Sequence, residues 1–217
     1  ALQAPEFSHP SGFYAESFSL SMQTVDKGVR IYYTIDGSIP TKQSHLYSVP
    51  LSIKSREGFP NTFSLIPTNS SDWVEPEGKV AKAFLIRARA IDAYGRAFSP
   101  VVTGTYFVGE DMLGRYSLPV VSLVSDPEFL FDPQIGIYIE QNYEKRGEKW
   151  ERPAYFEYFE PDGSLGYAKE TDIRLNGEWT RNYAQKSLRL YADVDYGEGD
   201  TFMYDFFKSQ DPPQNLE

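Results

Sequence analysis

The chain contains no cysteine, which excludes disulfide cross-links, thiolate-held zinc and thiol nucleophiles while leaving the compartment open. Histidine is almost as scarce. His9 and His45 are far apart in sequence and each stands beside a turn-like segment, so both read as surface residues, and a Ser-His-Asp triad is not expected. No apolar run approaches the ~20 residues of a membrane helix, and no basic-then-apolar leader stands at Ala1. An excess of positive charge is missing too: 21 Lys+Arg face 31 Asp+Glu, a formal net charge of -10. Such a chain repels nucleic-acid phosphates, which excludes nucleic acid as the partner.

What is present is ordinary globular material, 41% hydrophobic and 16% aromatic over 217 residues, enough for one or two cores. The charge is unevenly placed. Residues 1–108 hold ten Lys+Arg against nine Asp+Glu, a net +1, whereas 109–217 hold eleven against twenty-two, a net -11. The change falls at Gly109-Glu110-Asp111-Met112-Leu113-Gly114, so the expected organisation is a domain at 1–108, a linker at 109–116 and a second domain at 117–217. The chain lacks an initiator Met and closes on Leu216-Glu217 after a polar stretch; it is expected to be a fragment of a longer protein.

The first half reads as short strands between turns. Phe18, Leu20 and Met22 alternate with Ser17, Ser19 and Ser21, and Arg30 to Ile35 is rich in β-branched and aromatic residues before Asp36-Gly37. These are the signs of half-buried strands and a tight turn. Val80 to Ala93 sets Phe84, Ile86, Ala88 and Ala90 on one face and Arg87 and Arg89 on the other, and Val101 to Val108 supplies a last strand. No helical period appears, so the expected fold is an immunoglobulin- or fibronectin-like antiparallel β-sandwich. Ser55 to Gly78 is longer than an ordinary loop. Its Trp73 and Phe59 suggest a sugar-stacking platform, although a loop folded onto its own sandwich is the favoured reading. Asn69-Ser70-Ser71 fits a glycosylation sequon only weakly.

The second half is expected to be β-rich α+β. Leu118 to Val124 reads as a buried strand, and Asp126-Pro127-Glu128 combines an N-cap, a first-turn proline and an acid, predicting a helix over 127–131. A strand is expected at Gly136-Ile137-Tyr138-Ile139. Tyr155 to Glu160 and Gly166 to Arg174 are expected to pair across Pro161-Asp162-Gly163-Ser164. Alternation places Ile173 and Leu175, then Leu188 and Leu190, on two further half-buried strands joined through 177–184. Asp193, Asp195, Glu198 and Asp200 invite a calcium or magnesium site. The EF-hand template fails there, because Gly197 and Glu198 fall at its fifth and sixth positions, and a solvated hairpin turn without metal is expected.

Two family resemblances stand out. Ile31-Tyr32-Tyr33-Thr34-Ile35-Asp36-Gly37-Ser38-Ile39-Pro40-Thr41, with Phe13-Tyr14, Tyr47, Pro50-Leu51 and Arg87-Ala88-Arg89-Ala90, resembles the chitobiase/β-hexosaminidase C-terminal-type module. That implies a β-sandwich accessory module of secreted glycan-processing and surface proteins, generally without catalytic residues; Asp36 is then a turn residue. Gly177-Glu178-Trp179-Thr180-Arg181, Gln185-Lys186-Ser187-Leu188-Arg189-Leu190 and Tyr196-Gly197, preceded in order by Leu118-Pro119-Val120-Val121-Ser122-Leu123 and Gly136-Ile137-Tyr138, resemble the N-terminal part of the spore-coat protein H (CotH) kinase-like family over residues 117–207. That resemblance implies a bacterial spore-coat, surface or secreted protein whose parent phosphorylates protein with ATP and Mg²⁺, in an incomplete, β-rich portion lacking the metal-holding carboxylates. Arg181 and Lys186 are the candidate phosphate contacts, as cations able to gather an anionic ligand; for Lys186 a solvated edge lysine is the alternative. The fragment alone is expected to be catalytically incomplete and to hold no tightly bound cofactor. A non-catalytic module binding a cell-surface carbohydrate or protein is the competing reading.

Overall fold

The computed structural model describes residues 1–67, 70, 72–192 and 201–207. The chain is mainly β. In the first half the strands are β1 (Glu6–Phe7), β2 (Gly12–Tyr14), β3 (Phe18–Leu20), β4 (Met22–Gln23), β5 (Val29–Thr34), β6 (His45–Leu46), β7 (Leu51–Ile53), β8 (Phe84–Asp92) and β9 (Val102–Val108). A five-stranded sheet runs in the order β2-β9-β8-β5-β6, and two small sheets, β1-β4 and β3-β7, complete the sandwich. Alternation explains the core between them: Leu20, Met22, Ile31, Ile53, Ile86, Ala88, Tyr106 and Val108 are buried together, each from the apolar side of its strand.

Two details depart from the sequence reading. The sandwich is not wholly antiparallel, because β2 lies parallel to β9, with Gly12 opposite Tyr106 and Tyr14 opposite Val108. The strand expected from Ser17 to Met22 is split at Ser21, where the chain passes from pairing with β7 to pairing with β1. Ser21 donates its N–H to the Ser8 hydroxyl at 2.9 Å and accepts from the Ser8 N–H at 2.9 Å, which holds the crossing.

The second half contains β10 (Val120–Ser125), α1 (Pro127–Phe131), β11 (Arg152–Phe159), β12 (Leu165–Leu175) and β13 (Leu188–Tyr191). They form a four-stranded antiparallel sheet, β10-β11-β12-β13. Ile173 lies opposite Leu190 and Leu175 opposite Leu188, as the alternation requires. Asp126 caps α1 by accepting from the Glu128 N–H at 3.0 Å. The strand expected at 136–139 is instead a turn. Ile137 and Tyr138 donate their N–H groups to the carbonyls of Phe129 and Leu130, so these amides satisfy the open end of α1 rather than a sheet neighbour. No helix among the described residues is long and apolar enough to cross a membrane.

The outward face of the five-stranded sheet is covered by the four-stranded one. Phe159 is fully buried between Phe13 and Phe107, at ring separations of 5.7 and 5.5 Å. Met112 packs into the same cluster, so residues expected to be a linker are partly interior. The rest of the contact is polar. Thr105 and Ser122 hydroxyls meet at 2.8 Å. Glu157, 1% exposed, keeps a buried Oε2 without a hydrogen-bond partner; burial pushes its carboxyl upward, against the pull of the nearby Ser11, Thr105 and Ser122 hydroxyls. Arg87 projects from β8 and donates to the Gly37 carbonyl at 3.0 Å. The Asp36-Gly37 turn is a dock as well as a turn. Asp36 accepts twice from Ser38, and the Ile39 N–H reaches the Asp126 carboxylate at 2.7 Å. Gly37, at φ +91°, leaves only 3.2 Å between a Cβ and the Ser125 carbonyl, so the turn needs glycine for conformation and for clearance.

The long insertion reaches beyond its own sandwich. Phe63 stacks on Phe131 of α1 at 5.6 Å, and Glu57 pairs with Arg115 at 2.6 Å. Trp73 is half-buried and Phe59 exposed. Asn69 and Ser71 of the sequon lie outside the described residues, as do Tyr196, Gly197 and the acidic cluster Asp193, Asp195, Glu198 and Asp200.

Candidate functional site

The loop between β12 and β13 carries both candidate phosphate contacts. It leaves β12 through Gly177, whose φ of +94° is cheap only without a Cβ, and then makes a short 3-10 turn over Trp179–Asn182. Arg181 folds back beneath this turn. Its guanidinium donates to the carbonyl of Gly177 at 2.5 Å and to those of Tyr143 and Lys145, both at 3.1 Å. Lys186, 7% exposed, donates to the carbonyls of Arg181 and Tyr183 and sits 4.5 Å from the centre of the Tyr143 ring.

The two cations therefore converge on one strand-loop-strand unit, with both charged heads engaged by main-chain carbonyls. This explains how a loop rich in polar backbone is held without a sheet partner. Burial draws both groups toward neutrality: Arg181 is lowered first by desolvation and then by Arg146 and Arg174, and Lys186 is pushed down to about 8. No group of three or more His, Asp or Glu side chains able to hold a metal ion occurs among the described residues.

Above the clasp the turn opens a cleft of about 440 Å³, lined by Glu144, Arg146, Glu178, Trp179, Arg181 and Asn182. Trp179 is 81% exposed, although it stands on the loop that Arg181 and Lys186 tie to main-chain carbonyls. Arg146 and Glu178 form an exposed ion pair at 2.8 Å. Asn182 turns a buried Oδ1 without a hydrogen-bond partner. Trp179, Arg146 and Asn182 were not legible as a group, because Arg146 comes from a separate turn and only folding brings it to the other two. The available signal was a tryptophan in an otherwise polar loop, between Glu178 and Thr180.

The histidines stand apart from this cleft. His9 bonds the Ser8 hydroxyl and packs on Phe18 at 4.4 Å, and exposed His45 lies against Tyr33 at 5.2 Å. Residues 9–71 match the family model of the chitobiase/beta-hexosaminidase C-terminal domain. The match spans β2 to β7, ends before β8 and β9, and does not reach the residues on which the kinase-like resemblance rests. No curated protein matches the chain.

Proposed function

We propose that the chain is a non-catalytic binding module of a bacterial secreted or surface protein, and that the cleft at Trp179 receives a carbohydrate. The observation that carries this reading is the exposed indole on a turn fixed from below by Arg181 and Lys186. A tryptophan face presented to water and held in place suits the apolar face of a pyranose. The flanking Glu178 carboxylate, Arg146 guanidinium and Asn182 amide supply the planar polar groups that sugar hydroxyls need. The family matched by residues 9–71 is named for chitobiase and beta-hexosaminidase, which makes chitooligosaccharides the first probe.

Calorimetry with a chitooligosaccharide series is expected to show saturable binding, with Trp179→Ala weakening it tenfold or more, about 1.4 kcal/mol. Binding unaffected by Trp179→Ala overturns the assignment of the cleft. Saturable binding of ATP with Mg²⁺, weakened by Lys186→Ala in a variant that still folds, supports the kinase-like parent instead.

A further inference from the structure

A second pocket, of about 330 Å³, lies between the insertion and the ends of β5 and β8. Its floor is apolar, formed by Ile35, Leu85, Ala83 and Val80. Its rim carries two cations. Arg56 is held over two aromatic faces, 5.6 Å from the centre of Phe59 and 5.8 Å from that of Phe84. Its guanidinium makes no hydrogen bond or ion pair among the described residues. A guanidinium offers five N–H donors in a planar fork suited to a carboxylate, so Arg56 is fixed in place with that fork unspent.

Lys82 reaches the same pocket. It spends two of its three donors on the Asn61 amide oxygen at 2.9 Å and the Val80 carbonyl at 2.7 Å. Asn61 also accepts from the Val80 N–H and donates to the Gly78 carbonyl, which closes the base of the insertion and fixes the lysine. Ser64 presents a buried hydroxyl without a partner. Asp36 completes the wall, but its carboxylate is turned to Ser38, from which it accepts two hydrogen bonds.

We infer that this pocket binds a small monocarboxylate on a flat apolar body, the chemistry of an aromatic acid. The carboxylate lies against the Arg56 fork and the remaining Lys82 donor, the ring covers Ile35 and Leu85, and the Ser64 hydroxyl serves a polar substituent. Two features favour a monoanion on a ring over inorganic phosphate. The enclosed surface is mostly apolar, and the Asp36 charge opposes a second negative charge. The insertion, longer than a simple connection needs, supplies Arg56, Phe63 and Ser64 to this pocket.

The test is a ligand-observed NMR titration of the full chain with benzoate, benzamide and inorganic phosphate. Benzoate is expected to bind at least tenfold more tightly than benzamide, Arg56→Gln to remove that preference, and Arg56→Lys to restore part of it. Trp179→Ala is expected to leave benzoate binding unchanged, which separates this pocket from the carbohydrate cleft. Equal binding of benzoate and benzamide, phosphate bound as tightly as benzoate, or an Arg56→Gln variant of unaltered preference overturns the inference. Unchanged thermal unfolding of Arg56→Gln shows that its loss of preference reports on the carboxylate contact and not on folding.

Discussion

Glu170 gives the sharpest test of the polar contact between the two sheets. It lies on β12 opposite Tyr155, and its carboxyl is pushed up to about 7, first by burial and then by Asp172, against the pull of Arg87. The ordinary carboxyl value is 4.5, and an acid whose folded value is raised favours the neutral form. Its contribution to stability is therefore complete below pH ~4.5, falls as pH rises, and is lost above pH ~7. A rise of this size corresponds to ~3 kcal/mol; with partial solvent contact, roughly 2 kcal/mol is the reasonable expectation. Glu170→Gln, which cannot ionise, is expected to exceed the native protein in stability by that amount at pH 8 and to match it near pH 4.5. Urea unfolding of both proteins across this range measures the difference, and the other acids, such as Asp36 and Asp92, which are held low, cancel between them. A Glu170→Gln variant less stable than the native protein at pH 8 refutes the reasoning, because attraction to Arg87 then outweighs the burial of the charge.

Phe159→Ala removes the ring fixed between Phe13 and Phe107 and is expected to cost ~3–5 kcal/mol in urea unfolding, the range for an emptied aromatic site. Gly37→Ala combines a left-handed backbone position with a 3.2 Å approach to the Ser125 carbonyl. Its expected cost is ~1–3 kcal/mol, read as a lowered thermal midpoint.

Local signals carried far in this chain. Asp126-Pro127-Glu128 announced α1, the alternation at Ile173, Leu175, Leu188 and Leu190 announced the β12–β13 pairing, and Asp36-Gly37 announced the turn after β5. What escaped was non-local. The parallel pairing of β2 with β9 joins residues more than ninety positions apart, and nothing near Gly12 records it. Ile137 and Tyr138 look like part of a strand because a short apolar run suits either a strand or a buried turn; the free carbonyls of α1 decided between them. Arg181 and Lys186 stood out for their charge, yet the groups they meet are carbonyls of Tyr143, Lys145 and Tyr183, and a main-chain acceptor leaves no mark in the sequence. The Trp179 cleft was hidden for a related reason, since Arg146 joins it from another turn.

Asp126 divides its carboxylate between two tasks: one oxygen holds the first turn of α1, and the other holds the Ile39 N–H of the sandwich. The unit that can be moved between proteins is accordingly larger than the 9–71 segment with a family match. Excision at 109–116 would strand Arg87, Thr105 and Phe107 in water on one side and leave Glu157 and Phe159 bare on the other. A gene fusion that carried the sandwich alone would need a new cover for that face, so inheritance of the two halves as a pair is the economical course.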